Sequence, residues 1–227
     1  MRRRDTGAGK LRRIAPLLAG WLVVACSGAG PASSAAPSGP VEIRQYQGQD
    51  LSAISDILAT DIAGPQHVSL DTYRLKVSGL VDKPLELTYD QVLGYDHFSR
   101  VATLHCVNGW DATVLWEGVR IQDILAAAGV RDGTPVVIFH AVDGYTSSLP
   151  LTYVQAGDIL LAFKMNGLPL PAEQGFPFQV VAESKWGYKW VKWVDGIELS
   201  NDTSYRGYWE SRGYDNNGDG NGPMFQP

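Results

Sequence analysis

Cys106 is the residue with the most chemistry to offer in this sequence. It stands in Cys106-Val107-Asn108-Gly109-Trp110, where Asn-Gly forces a turn directly after an apolar stretch. The chain has two cysteines, and the other, Cys26, closes an N-terminal apolar run. A thiol on a turn at a strand end is a buried inert group, a nucleophile, or a soft ligand for a soft or high-valent metal. A nucleophile needs a base beside it. His105 is adjacent, but neighbours on a strand face opposite sides, and nothing in the spacing brings His67, His97 or His140 to Cys106. No Cys/His cluster has zinc spacing, and no phosphate loop or dinucleotide fingerprint is present.

A second constellation is Lys185-Trp186-Gly187-Tyr188-Lys189-Trp190-Val191-Lys192-Trp193, three lysines interleaved with aromatics and one glycine. Lysines act as point charges toward a phosphate, and glycine lets a backbone approach closely. The same lysines would also protect an edge strand from pairing. Asp215-Asn216-Asn217-Gly218-Asp219-Gly220-Asn221 begins like a calcium loop. Gln226 falls where that loop needs a bidentate glutamate, so residues 215–227 are expected to be a polar, disordered tail.

These residues need a scaffold of short strands. Tyr73–Ser78 alternates apolar and polar residues, and Arg100–Val107 reads as a second strand that delivers Cys106 to its turn. Thr88 is an expected N-cap for a helix over Tyr89–Leu93, and Ile121–Ala128 carries helical spacing up to Gly129. Pro135–Val142, Tyr145–Leu149 and Ile159–Met165 read as strands, with a short helix over Leu151–Ala156. Asn166-Gly167 is a two-residue hairpin signal into Leu168–Leu170, and Phe176–Val181 and Val191–Leu199 complete the set. Residues 41–67 are weakly patterned, with one helix expected around Asp50–Leu58. The fold class is therefore α+β: a mainly β, mixed-sheet, barrel-like core with short helices.

The first residues are not part of that fold. Arg2, Arg3, Arg4, Lys10, Arg12 and Arg13 precede a short apolar run, Ile14–Ala25, too short to span a bilayer comfortably. Residues 1–25 read as a signal peptide of lipoprotein type, with Cys26 as the lipidated first residue of the mature chain. Ser27 to Pro40, all Gly, Ala, Ser and Pro, reads as a flexible tether leading to a domain over 41–214. The expected location is the outer face of a bacterial membrane, periplasmic or extracellular, held by lipid alone. Residues 1–25 carry six of the 19 Lys and Arg and one of the 24 Asp and Glu, so the remainder has a net charge of about −10. Such a body disfavours nucleic acid as a partner.

Taken in order, Cys106-Val107-Asn108-Gly109-Trp110, Trp116-Glu117-Gly118-Val119, Asp143-Gly144-Tyr145, Met165-Asn166-Gly167-Leu168-Pro169-Leu170, Lys185-Trp186-Gly187-Tyr188-Lys189 and Lys192-Trp193 resemble the molybdopterin-binding domain of the sulfite oxidase family. Gly207-Tyr208-Trp209-Glu210 and Arg212-Gly213-Tyr214 resemble the end of that domain. The resemblance covers residues 68–214. It implies a molybdenum–molybdopterin cofactor with Cys106 as the metal's protein ligand, and Asp143 and Tyr145 near the metal, Tyr145 among the catalytic residues. Lys185, Lys189 and above all Lys192 are implied to contact the pterin phosphate. It further implies oxidoreduction of a small oxo-substrate of the sulfoxide or sulfite type, with an external electron partner such as a cytochrome. Gln174 and Gln179 depart from the family, occupying places where many members carry Asn or His, and Arg. Glutamine still hydrogen-bonds but has no fixed charge. That departure motivates the alternative expectation of a cofactor-free binding module on the same fold.

Overall fold

The computed structural model describes residues 39–226. Cys26, the expected signal peptide and most of the tether lie outside the described residues. In chain order the elements are β1 (Gln45–Tyr46), β2 (Gln49–Asp50), β3 (Leu75–Gly79), β4 (Leu85–Leu87), α1 (Tyr89–Leu93), β5 (His97–Cys106), β6 (Trp110–Arg120), α2 (Ile121–Ala128), β7 (Val136–Ala141), β8 (Thr146–Pro150), α3 (Leu151–Ala156), β9 (Leu160–Met165), β10 (Leu168–Pro169), β11 (Gln179–Val181) and β12 (Val194–Ser200). Among the described residues no helix is long and apolar enough to cross a membrane.

The mainly β core consists of two five-stranded sheets. One runs β10-β9-β6-β5 with β11 also paired to β9, and the other runs β4-β3-β12-β7-β8. Pairing is antiparallel except between β12 and β3, so the second sheet is mixed. Inward residues of both sheets, among them Val77, Phe139 and Ile197 on one and Val114, Trp116 and Phe163 on the other, form one buried apolar cluster. At about 1.5–3 kcal/mol for each fully buried large side chain, this cluster supplies the driving force for folding. Helix α1 starts as its sequence foretells. Thr88 accepts from the Gln91 backbone N–H while the Gln91 side chain accepts from the Thr88 N–H, a reciprocal cap.

One strand is missed in the sequence, and two sequence expectations are corrected. The longest strand, β6, escaped the period-two reading because it lies between β5 and β9 and buries Val114, Leu115 and Trp116 in succession. The helix expected around Asp50–Leu58 shrinks to a single 3-10 turn, Ile54–Asp56. Ser52 explains this: its backbone N–H donates to Thr113 O and its hydroxyl accepts from the Thr113 N–H, so the segment docks beside β6. The tail is folded over the described residues 215–226. Its Asn217 and Asp219 take the Lys185 ammonium as their cation, Phe225 packs on Tyr214 with ring centroids 4.8 Å apart, and Gln226 donates to Glu210 O and Tyr214 O.

Candidate active site

Strands β5 and β6 are joined by Val107, Asn108 and Gly109, a three-residue connection in which Gly109 takes φ +85 and donates its N–H to Cys106 O. Cys106 and Trp110 are thereby direct cross-strand partners. Such partners project to the same face with Cβ atoms about 4.5–5.5 Å apart. Gly187 closes on this hairpin end. A Cβ there would stand 3.1 Å from His105 O and 3.2 Å from Leu104 Cδ2, so any side chain would require the hairpin end to give by a few tenths of an ångström. His105 turns away from the thiol and pairs with Asp111 on the exposed face, at 2.8 Å. Cys106 is a free, buried cysteine.

The thiol lies on the wall of a cavity of about 310 Å³. Six sequence-derived candidates, Cys106, Asp143, Tyr145, Gln174, Gln179 and Lys192, line it together. They come from β5, the β7–β8 turn, the turn after β10, β11 and the segment before β12. Asp143 shapes its turn by accepting the Tyr145 backbone N–H at 3.0 Å. The Tyr145 hydroxyl donates to Tyr188 O at 2.5 Å, and burial, with Glu210 adding, pushes it well above the ordinary tyrosine range. Its proton is thus committed to the protein, so the Tyr145 ring serves as wall and its hydroxyl as a tie.

Gln174 donates from Nε2 to Ile57 O at 2.9 Å, tying the loop after Ile57 to the cavity. Gln179 is 2% exposed and its Oε1 has no partner; the indole Nε1 of Trp110 is likewise buried without one. Buried polar groups left open cost about 1–3 kcal/mol each, so these two mark where a ligand's polar edge belongs. Lys192 donates to Glu173 O at 2.9 Å, and burial lowers its ammonium to about 8 although Asp61, Asp143 and Glu173 pull upward. It is fixed by its neighbour. Trp193 is held at φ +52, a strained conformation costing about 1–3 kcal/mol, by bonds from its indole to Ala172 O and from its backbone N–H to Gly175 O.

The structure does not bring Lys185 and Lys189 to the cavity. Lys185 spends its ammonium on Asn217 and Asp219. Lys189 is fully buried against Glu210 at 2.6 Å and also donates to Ser148 O. Burial lowers its ammonium, and Glu210 offsets this only in part. Both lysines therefore belong to the scaffold. Sequence reasoning in turn missed Asp61, which lines the cavity from a loop with no period to flag it, and treated Trp110 as part of a turn signal.

The donor set fits a molybdenum–pterin group. Cys106 offers a free soft sulfur on the cavity wall, Gln179 and Trp110 offer open hydrogen-bonding atoms, and Lys192 offers a cation for a phosphate. Comparison with known proteins agrees with this. The profile of the oxidoreductase molybdopterin binding domain matches residues 62–209. The chain belongs to that family. It is 37% identical over 156 residues to the uncharacterized oxidoreductase YuiH of Bacillus subtilis (strain 168), covering 68% of this chain and 78% of that one. It is 32% identical over 150 residues to the putative protein-methionine-sulfoxide reductase subunit YedZ1 of Azospira oryzae, covering 66% of this chain and 56% of that one. Rat mitochondrial sulfite oxidase is 31% identical over 174 residues, covering 63% of this chain and 32% of the rat protein.

Among solved structures, the sulfane dehydrogenase SoxCD of Paracoccus pantotrophus superposes with a TM-score of 0.63 at 26% identity, covering 78% of this chain and 57% of that one. The fold is thus the sulfite-oxidase-type molybdopterin fold. The chain spans about a third of the sulfite oxidase it matches and a little over half of YedZ1. As a member of this family it is an oxidoreductase with a molybdenum–pterin cofactor, and the cofactor-free alternative is set aside.

Proposed function

We propose that this oxidoreductase moves an oxygen atom to or from a small oxo-substrate of the sulfoxide or sulfite type, with Cys106 as the protein's ligand to molybdenum. The observation that carries this is a free, buried thiol on the wall of a cavity that also holds open polar atoms. When bound, the cofactor supplies the two-electron chemistry. The chain's own residues bind and orient. Lys192 would hold the cofactor phosphate, the Gln174 and Gln179 amides would meet its polar edges, and Asp143 holds the turn that sets Tyr145. Trp190, Trp193 and Trp209 wall the cavity and lower its polarity, which strengthens the charge interactions beside them.

Removing an oxygen atom from a substrate as water consumes two electrons and two protons, and the reverse reaction releases them. An external one-electron carrier, such as a cytochrome, therefore belongs to the cycle, and the acidic body of the chain favours a carrier with a basic face. Export and lipid anchoring through Cys26 are part of the same proposal and rest on the leader-like first residues. Mass spectrometry of the mature N-terminus tests them, an intact Met1 being the contrary result.

The main test is metal and pterin content of protein made in a cofactor-competent host, with Cys106→Ser beside it. Stoichiometric molybdenum in the parent and an altered metal spectrum in the variant support the proposal. Identical metal spectra in the two would end the role of Cys106.

A further inference from the structure

One wall of the cavity is barely tied to the fold. Leu58, Thr60, Asp61 and Ile62 line it. They lie in residues 58–67, which belong to no helix or strand and include no buried residue. Leu58 is 63% exposed although it faces the cavity. The hydrogen bonds of this segment are its own: the Gly64 N–H donates to Asp61 Oδ1 at 2.6 Å, and Gln66 Nε2 to Gly64 O at 2.8 Å. Among the described residues, no hydrogen bond or ion pair joins residues 58–67 to the rest of the chain. The flanks differ. Ile57 is buried, donates its N–H to Ile54 O and accepts Gln174 Nε2, and Val68 packs against the core cluster. The other walls are held as well, Cys106 and Trp110 by strand pairing and Trp193 by bonds to Ala172 O and Gly175 O.

A segment with no buried side chain and no outside hydrogen bond opens at the low end of a fold's free-energy range. Its internal bonds keep the tip together while it moves. Cys106 is only 8% exposed, so a bulky group reaches the thiol through the part of the wall that can give way. We infer that residues 58–67 are a lid, hinged at Ile57 and Val68, that swings out to admit the molybdenum–pterin group and closes over it. This rests on the cavity being the cofactor's site and is independent of the substrate. Leu58 and Ile62 are the apolar side chains that the closed lid presents to the cavity.

The test compares cofactor-free and loaded full-length protein by hydrogen exchange, read peptide by peptide. Loading should slow exchange of residues 58–67 about 10-fold or more, as expected when a ligand holds a locally opening segment shut, and should leave β1 and β2, which do not line the cavity, unchanged. Iodoacetamide labelling of the Cys106 peptide in cofactor-free protein reads the opening itself. Leu58→Ala with Ile62→Ala should raise that rate about 5–20-fold, because part of the apolar burial that closes the lid is lost. The urea midpoint should stay that of the parent, since the lid stands outside the core. In loaded protein the same pair should speed pterin release on dialysis. Equal exchange of residues 58–67 with and without cofactor, or equal Cys106 labelling in parent and double variant, overturns the lid and leaves the cofactor site standing. The exchange comparison uses the parent alone and decides the matter even if the double variant folds poorly. Protein that takes up no pterin in a competent host overturns the lid and the cofactor site together.

Discussion

Replacing Lys189 by methionine would leave the Glu210 carboxylate buried without its cation. Both side chains are 0% exposed, and their contact is 2.6 Å. Ser147 donates its hydroxyl to the same Glu210 Oε1, while Oε2 has no partner, so among the described residues no second cation shares the carboxylate's charge. Breaking a buried pair by removing one member costs about 3–5 kcal/mol, mostly as the penalty of the charge left behind. For a domain of this size that lowers the melting temperature by roughly 6–20 °C. Removing both charges tests the cause. Lys189→Met with Glu210→Leu should recover at least about half of the loss, because replacing both members with apolar side chains is often near neutral. Urea denaturation of cofactor-free protein, at one pH and with the slope checked for each variant, is the assay. A loss below about 1 kcal/mol in Lys189→Met, or a double variant as unstable as the single one, refutes the reasoning.

Three further outcomes follow from the same geometry. Lys185→Met should free residues 215–226, costing about 2 kcal/mol and exposing that segment to limited proteolysis, since its cation is the Lys185 ammonium. Cys106→Ser should change stability by less than about 1 kcal/mol in cofactor-free protein while altering the metal spectrum of loaded enzyme, because sulfur and oxygen differ far more as ligands than as packing. Cofactor-free protein should become more stable between about pH 8 and 10. The Lys192 ammonium falls from 10.5 when unfolded to about 8 when folded, so the unfolded state binds more protons in that window. The gain reaches at most about 2.5 kcal/mol and should vanish in Lys192→Met, as read by urea denaturation at each pH.

How much of this was legible beforehand depends on where each signal lay. Helices over Tyr89–Leu93, Ile121–Ala128 and Leu151–Ala156 matched to the residue, because local caps and spacing set them. Strand β6 and the folded tail did not, because tertiary context sets both. A central strand loses its alternation when both faces are buried, and an acidic loop becomes ordered only when a lysine 32 to 34 residues earlier in the chain fills it. The thiol was legible because a single cysteine before Asn-Gly has few uses. The lysines were not. Three of them in nine residues look alike in sequence, and only the fold shows that Lys189 faces Glu210, Lys185 faces the tail and Lys192 faces the cavity.

That sorting of the lysines sets a last expectation. With Gln174 and Gln179 uncharged, Lys192 is, among the described residues, the sole cation on the cavity wall for the cofactor phosphate, and its charge is titratable near physiological pH. The phosphate binds the ammonium form. Above about pH 8 the cofactor-free protein must take up a proton to bind it, so affinity falls up to about tenfold per pH unit by linkage, or roughly 30-fold by pH 9.5. Alkaline pH should therefore stabilise the empty fold and weaken its hold on the pterin, two effects of opposite sign from one group. Pterin retained after prolonged dialysis at pH 7 and pH 9.5 measures the second. Lys192→Arg keeps its charge throughout and should lose the pH dependence, while Lys192→Gln should hold the cofactor poorly at both values. Parent protein that keeps its pterin equally well at both pH values would show that Lys192 does not hold the phosphate.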